Sequence, residues 1–223
     1  MVAELKELGE VTSQRRVRRL MKEAGLQIRQ KRKFKTTTIA DFGATVSPSL
    51  LNQNFVAHKI NQVWVSDITY IRTQQGWLYL STTIDLCSRA IVGWSVSEKV
   101  TKELVISTLL KAYWARKPNK GLIHHSDRGS QYTSHDFQKL LCNIGARSSM
   151  SAKGNCFDNA VAESAFATIK TETKQNTIFK TKIEAKNVIF EYIEAFYNTV
   201  RKHSTLNYCS PFKFEQYLLN SVS

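Results

Sequence analysis

The chain has 223 residues, 42% of them hydrophobic and 10% aromatic, so it folds around one sizeable core and is neither disordered nor built of two large domains. Thirty-two Lys and Arg against 18 acids leave a net charge of +14, which favours a polyanionic partner, nucleic acid before membrane. No run approaches the ~18 apolar residues of a membrane span, and MVAELKELGEVTSQ lacks the apolar core of a secretory signal.

The charge is concentrated early. Between Gln14 and Lys35 lie ten Lys or Arg and one acid, Glu23. Val17, Leu20, Met21 and Ala24 recur at helical spacing, with Thr12 or Ser13 placed to cap and Gly25 to end the helix. Its opposite face carries Arg15, Arg18, Arg19 and Lys22, and Lys31, Arg32 and Lys33 follow in a basic run suited to a phosphate backbone. We therefore expect a basic, partly helix-turn-helix-like segment over 1–35, a linker over 36–60, and the main domain over 61–223.

VWVSDITYI (63–71) alternates and is rich in β-branched residues, which predicts a strand. A turn at Gln74, Gln75 and Gly76 leads to a second strand over 77–85, and Ser88-Arg89 to a third over 90–97. Thr101 caps a helix reaching Arg116, with Leu104, Val105, Thr108, Leu109 and Ala112 inward. LIHHSD (122–127) predicts a short buried strand, Ser134 to Asn143 a helix closed by Gly145, and 146–150 a last strand. A helix capped by Asp158, with Asn159 in the cap, runs past Lys170; another covers 182–197, and a short one follows Pro211. The order β-β-β-α-β-α-β-α predicts an α/β fold: a ribonuclease H-like mixed five-stranded sheet flanked by helices, with a short basic helical segment before it.

Three acids fall at informative places. Asp67 lies inside an apolar strand, where an unpaired carboxylate is expensive to bury. Asp127 ends the fourth strand, and Glu163 sits on the first turns of the helix after the fifth. If the fourth strand pairs beside the first, the aspartates become neighbours at a strand-end switch point. Three close carboxylates repel unless a cation lies between them, and hard oxygen donors select Mg²⁺ or Mn²⁺, with two ions suited to in-line phosphoryl transfer. Taken singly, Asp127 reads equally as a turn residue and Glu163 as a solvated helix residue.

The strings VWVSDITYI, GWLYLSTTIDLCSRAIVGW, IHHSDRGSQYTS and SMSAKGNCFDNAVAESAFATIKTE resemble the retroviral-integrase-like core of bacterial insertion-sequence transposases, more narrowly the second-frame (OrfB) product. The resemblance runs from Asn61 to Glu215 and includes YNTVRKHSTLNYCSPFKFE. The 35 residues between Asp127 and Glu163 match the spacing of that superfamily. It implies a polynucleotidyl transferase in which Asp67, Asp127 and Glu163 are catalytic residues and metal ligands. It also implies that Lys170, seven residues after Glu163 on the same helical face, contacts DNA near the reacting end; a plain surface lysine is the alternative. Partners by the same resemblance are the element's terminal inverted repeats and target DNA, at least a second copy of the chain on DNA, and an upstream-frame (OrfA) product. The expected location is the cytoplasm, at the nucleoid.

Family members carry more helix ahead of RRVRRLMKEAGLQ, so the resemblance implies a short leader and a partial enzyme. Two other readings remain at this stage: a noncatalytic DNA-binding remnant or regulator, and a ribonuclease H-type nuclease. Several residues carry plainer expectations. Gly129 and Gly154 supply tight turns that let backbone approach DNA. His124 and His125 are structural, one facing the buried sheet and one the site edge. Arg201-Lys202-His203 reads equally as a phosphate contact and as a solvated charge run. Trp64, Trp77, Trp94 and Trp114 belong to the core. Cys87, Cys142, Cys156 and Cys209 are scattered without a CxxC pair and read as buried free thiols in a reducing compartment.

Overall fold

A computed structural model describes residues 1–26, 47–51, 56–151, 160–173 and 178–221. It divides into two compact units, Met1–Thr38 and Ile39–Ser223. In the first, the expected leader is itself helical: α1 spans Val2–Glu7, and α2 spans Gln14–Glu23. Ser13 caps α2 by accepting from the Arg16 N–H at 3.3 Å, and Gly25 leaves the helix at φ +69°. Val17 is buried whereas Leu20 is exposed, so the apolar stripe is only partly covered among the described residues. Arg15, Arg18, Arg19 and Lys22 are all exposed. Lys31, Arg32 and Lys33 lie outside the described residues.

In the second unit, five strands among the described residues form one sheet: β1 Val63–Thr73, β2 Gly76–Asp85, β3 Ile91–Ser97, β4 Ile123–Ser126 and β5 Arg147–Met150. Their spatial order is β3-β2-β1-β4-β5. β1 to β3 form an antiparallel meander, while β4 and β5 join parallel to β1 on its other side. The chain thus reverses its direction of growth between β1 and β4, which makes that junction the switch point.

One face is covered by α3 (Lys102–Arg116), α4 (Ser130–Thr133) and α5 (His135–Asn143). There Trp64, Val105, Leu109, Tyr132, Phe137 and Leu141 pack together. Burying each large side chain contributes roughly 1.5–3 kcal/mol. Gly93 lets α3 approach β3: an added Cβ would stand 2.6 Å from the Thr108 carbonyl oxygen. The other face carries α6 (Ala160–Thr173) and α7 (Lys182–Glu191), whose Ala162, Phe166, Ile169 and Ile189 meet Val65, Ile71 and Leu80. A capping box between Thr181 and Glu184 starts α7. The final helix, α8, spans Pro211–Asn220.

Several expectations need correction. The helix expected over 182–197 turns π-helical from Tyr192 to Tyr197; the wider turn leads to Asn198, whose side chain bonds both the N–H and the carbonyl of Ile91. Part of the expected linker packs on the sheet unit, for Leu51 is buried in its core and the Leu50 N–H donates to Ser149 Oγ. Trp77 and Trp114 are exposed, because β2 and α3 extend past the layers that cover their centres. The free thiols of Cys87 and Cys209 are half-buried and that of Cys142 is exposed. Cys156, Gly154, Asp158 and Asn159 lie outside the described residues. Among the described residues no helix is long and apolar enough to cross a membrane.

Candidate active site

The parallel pairing of β1 with β4 ends at Val65 opposite His125. Asp67 lies two residues further along β1, on the Val65 face, and Asp127 comes one residue past the end of β4, so both carboxylates stand at the same end of the sheet. The Asp67 face is the one covered by α6. The meeting needs β4 to lie beside β1, and it does.

Each carboxyl is shifted by its surroundings. Burial first, and the Asp127 carboxylate second, push the Asp67 carboxyl up to about 8. The Ile68 N–H, donating to Asp67 Oδ1 at 2.7 Å, opposes this; Glu163 adds a smaller push and Lys170 a smaller pull. Burial also raises the Asp127 carboxyl, against the Gly129 N–H that donates to Asp127 Oδ1 at 3.0 Å. Without a compensating cation the charged form of Asp67 is thus disfavoured. Its hard oxygens, half-buried and repelled by a neighbouring acid, fit a divalent cation by donor chemistry. Among the described residues, however, no three His, Cys, Asp or Glu side chains gather tightly enough to hold one ion. Glu163 is exposed on the first turn of α6 and reaches Asp67 through its field alone.

Lys170 shares the Glu163 flank of α6 and lies 4.8 Å from the centre of the Tyr70 ring. Gly129 opens the expected tight turn, its carbonyl accepting from the Tyr132 N–H at 2.9 Å, and it does so at a negative φ. Its missing side chain also leaves room there, since a Cβ would stand 2.9 Å from Gln131 Oε1 and 3.0 Å from Asp127 Oδ1. Arg128 ties the loop to β5 by donating from Nε to the Ser151 carbonyl at 2.7 Å. Tyr132 was not singled out by the sequence pattern; it is buried close enough for both aspartates to raise its phenol further above 10 than burial alone does.

Neither histidine reaches the site edge. His124 Nε2 lies 2.8 Å from Ser66 Oγ, and His125 Nδ1 lies 2.9 Å from Ser149 Oγ, both rings fully enclosed. Burial holds His124 down to about 3, so it stays neutral. Arg201 is neither solvated nor free for phosphate: its Nη2 lies 2.8 Å from Glu172 Oε1 and its Nε 3.0 Å from Oε2.

One acid separates itself from the pair. Asp85, fully buried at the end of β2, accepts from the N–H groups of Asn61 (2.6 Å), Cys87 (2.9 Å) and Ser88 (3.0 Å). Both of its oxygens are committed to holding a turn. Asp67 and Asp127 accept one backbone N–H each among the hydrogen bonds above, which leaves lone pairs for a ligand.

Known proteins resemble this chain along most of its length. Residues 57–156 match a family described as "Integrase core domain", residues 144–211 a second family of the same description, and residues 1–34 an "HTH-like domain". The chain is 47% identical over 210 residues to the transposase of insertion sequence element IS904 of Lactococcus lactis, covering 94% of this chain and 83% of that protein. It is 46% identical over 213 residues to a 31 kDa protein of insertion element IS600 from Shigella sonnei, covering 96% and 78%. Among solved structures, the HTLV-2 integrase catalytic core domain in complex with magnesium aligns at a TM-score of 0.58 with 18% identity, covering 71% of this chain and 98% of that one. A chain of the simian T-cell lymphotropic virus intasome aligns at 0.59 with 16% identity, covering 79% of this chain and 60% of its own. These last two likenesses establish the ribonuclease H-like fold.

Proposed function

The chain belongs to the insertion-sequence transposases that carry an integrase core domain, and from that premise we propose that Asp67, Asp127 and Glu163 are the carboxylates with which it cuts and joins DNA strands. The observation that carries the proposal is the apposition of Asp67 and Asp127 at the switch point, with Asp67 pushed up to about 8. Asp67, Asp127 and Glu163 would hold Mg²⁺ or Mn²⁺, two ions in number, which when bound activate an attacking oxygen and stabilise a leaving oxygen. Magnesium in the HTLV-2 core structure supports the choice of ion.

The protein's own residues supply placement. Asp67 is fixed within a paired strand and Asp127 directly after one, so little conformational freedom is lost when DNA arrives. Glu163 is carried by a helix whose entry follows β5, and Lys170 on its flank offers a cation to a phosphate beside the reacting bond. α2 presents Arg15, Arg18, Arg19 and Lys22 from the HTH-like segment to the duplex backbone, together with Lys31, Arg32 and Lys33 beyond it. We place the reaction in the cytoplasm, on terminal inverted repeats and target DNA. Joining needs two ends held together, so the active form is at least a dimer on DNA, assisted by an upstream-frame product.

Strand transfer on a duplex carrying the element's end should vanish in excess chelator and return with Mg²⁺ or Mn²⁺. Undiminished joining in chelator would overturn the metal assignment. Binding should also be strongly salt-dependent, since each phosphate neutralised contributes about 0.9 to the slope of log affinity against log salt. Replacing Arg15, Arg18, Arg19 and Lys22 with Gln should flatten that slope and weaken binding. An unaltered slope would remove α2 from the DNA interface.

A further inference from the structure

A second place in the sheet unit is built for an anion. A cavity of about 490 Å³ opens between α6, the turn after β2 and the segment following the π-helical turn. Arg89, Arg201, Lys202 and His203 line it, with Ser164 and Thr168 on the α6 wall. At about 100° per residue, Ser164 and Thr168 lie on the flank of α6 away from Glu163 and Lys170. This is a different site from the carboxylate pair.

Three observations show what the cavity lacks. Arg89 is half-buried, its backbone at φ +61°, and burial works against its charge. Among the described residues no carboxylate forms an ion pair with it, whereas the Arg201 charge is met by Glu172. The Asp85 carboxylate favours its charge only from a distance, and a guanidinium taken partly out of water without a directly paired counter-charge is costly. The His203 Nε2 atom is fully buried and has no hydrogen-bond partner among the described residues. Burial first, with Arg201 and Arg89 nearby, pushes that ring down to about 4, so at neutral pH it is a neutral imidazole able to donate from Nε2.

The segment is clamped rather than loose. The Tyr197 hydroxyl donates to the Arg89 carbonyl at 3.2 Å, and Asn198 bonds the Ile91 backbone at 2.9 and 3.0 Å. These contacts hold the Arg89 backbone, while His203 is held by its N–H donating to the Cys209 carbonyl at 3.0 Å and by the Tyr197 ring at 5.0 Å; donors set in place before any ligand arrives are what a phosphate site needs.

We propose that this cavity binds a phosphodiester of the DNA on the far flank of α6 from the carboxylates, with Arg89 as its principal cation, Lys202 and His203 as further donors, and the Ser164 and Thr168 hydroxyls on its wall. The proposal rests on the reading that the chain acts on DNA, and it makes α6 a ridge with a reacting phosphate on one flank and an anchoring phosphate on the other. The two lie about one helix diameter apart, ~10 Å, within reach of neighbouring phosphates on one duplex.

The test measures binding of a terminal-repeat duplex by fluorescence anisotropy across a salt series, in chelator so that no chemistry contributes. Arg89→Gln should weaken affinity about five- to twentyfold near 0.15 M salt and lower the salt slope by about one. Thr168→Glu, which places a carboxylate on the cavity wall without touching the core, should do the same and decides the matter if Arg89→Gln unfolds. Wild-type affinity in the folded variants, or weakened binding with an unchanged slope, would overturn the proposal. Because the readout needs neither metal nor turnover, it stands apart from the fate of the carboxylate assignment.

Discussion

Glu163→Gln is expected to lower strand cleavage and joining by on the order of a thousandfold or more while leaving DNA affinity within about twofold. The substitution keeps size and hydrogen-bonding capacity but removes the negative charge. Glu163 is exposed on α6 and packs no core, so the variant should unfold at the wild-type temperature. Asp127→Asn should be equally inactive, and it should also let the Asp67 carboxyl fall from about 8, since Asp127 is the largest electrostatic contribution to that rise. The sign follows from the cause: removing a neighbouring negative charge makes ionisation of Asp67 easier. Strand transfer by gel assay, thermal melting and duplex binding on the same preparations would check all of this. Full activity of Glu163→Gln would remove Glu163 from the catalytic set, whatever the fate of the aspartates.

Glu215→Ala should destabilise the fold by about 3–5 kcal/mol, the range for removing one partner of a buried pair. Glu215 is buried on α8, 127 residues from Ser88, whose hydroxyl donates to its Oε1 at 2.6 Å. Its Oε2 lies 2.6 Å from Arg116 Nη1 at the end of α3. One side chain thus joins the last helix, the helix across the sheet and the turn that Asp85 organises. At roughly 2–4 °C per kcal/mol for a chain of this size, the melting temperature should fall by about 10 °C. Glu215→Gln keeps an acceptor for Ser88 and should lose less. A shift under about 2 °C for Glu215→Ala would show that the tie contributes nothing net, as some buried pairs do.

Much of the fold is legible in the sequence alone because its signals are local. The β-branched alternation of 63–71, the Gly76 turn, and the inward set Leu104, Val105, Thr108, Leu109 and Ala112 of α3 all appear where residue type and spacing put them. The π-helical turn and the exposure of Trp77 and Trp114 were not legible, because both depend on where a covering layer stops. The family was legible too, carried by long strings rather than by any single residue.

What the sequence determined by itself was the element order, the basic N-terminal face and the acids worth weighing. What only tertiary structure decided was which acids meet and which basic groups stay unpaired. Asp67 and Asp85 both end up buried or half-buried in strands, yet backbone donors from a turn occupy Asp85, while a parallel strand 60 residues away brings Asp127 to Asp67. Arg201 and Arg89 look alike in sequence, but Glu172 meets only the first. The physical reason is range: side-chain periodicity and capping act over a turn or a strand, whereas desolvation and Coulomb energy depend on neighbours that only the closed sheet supplies.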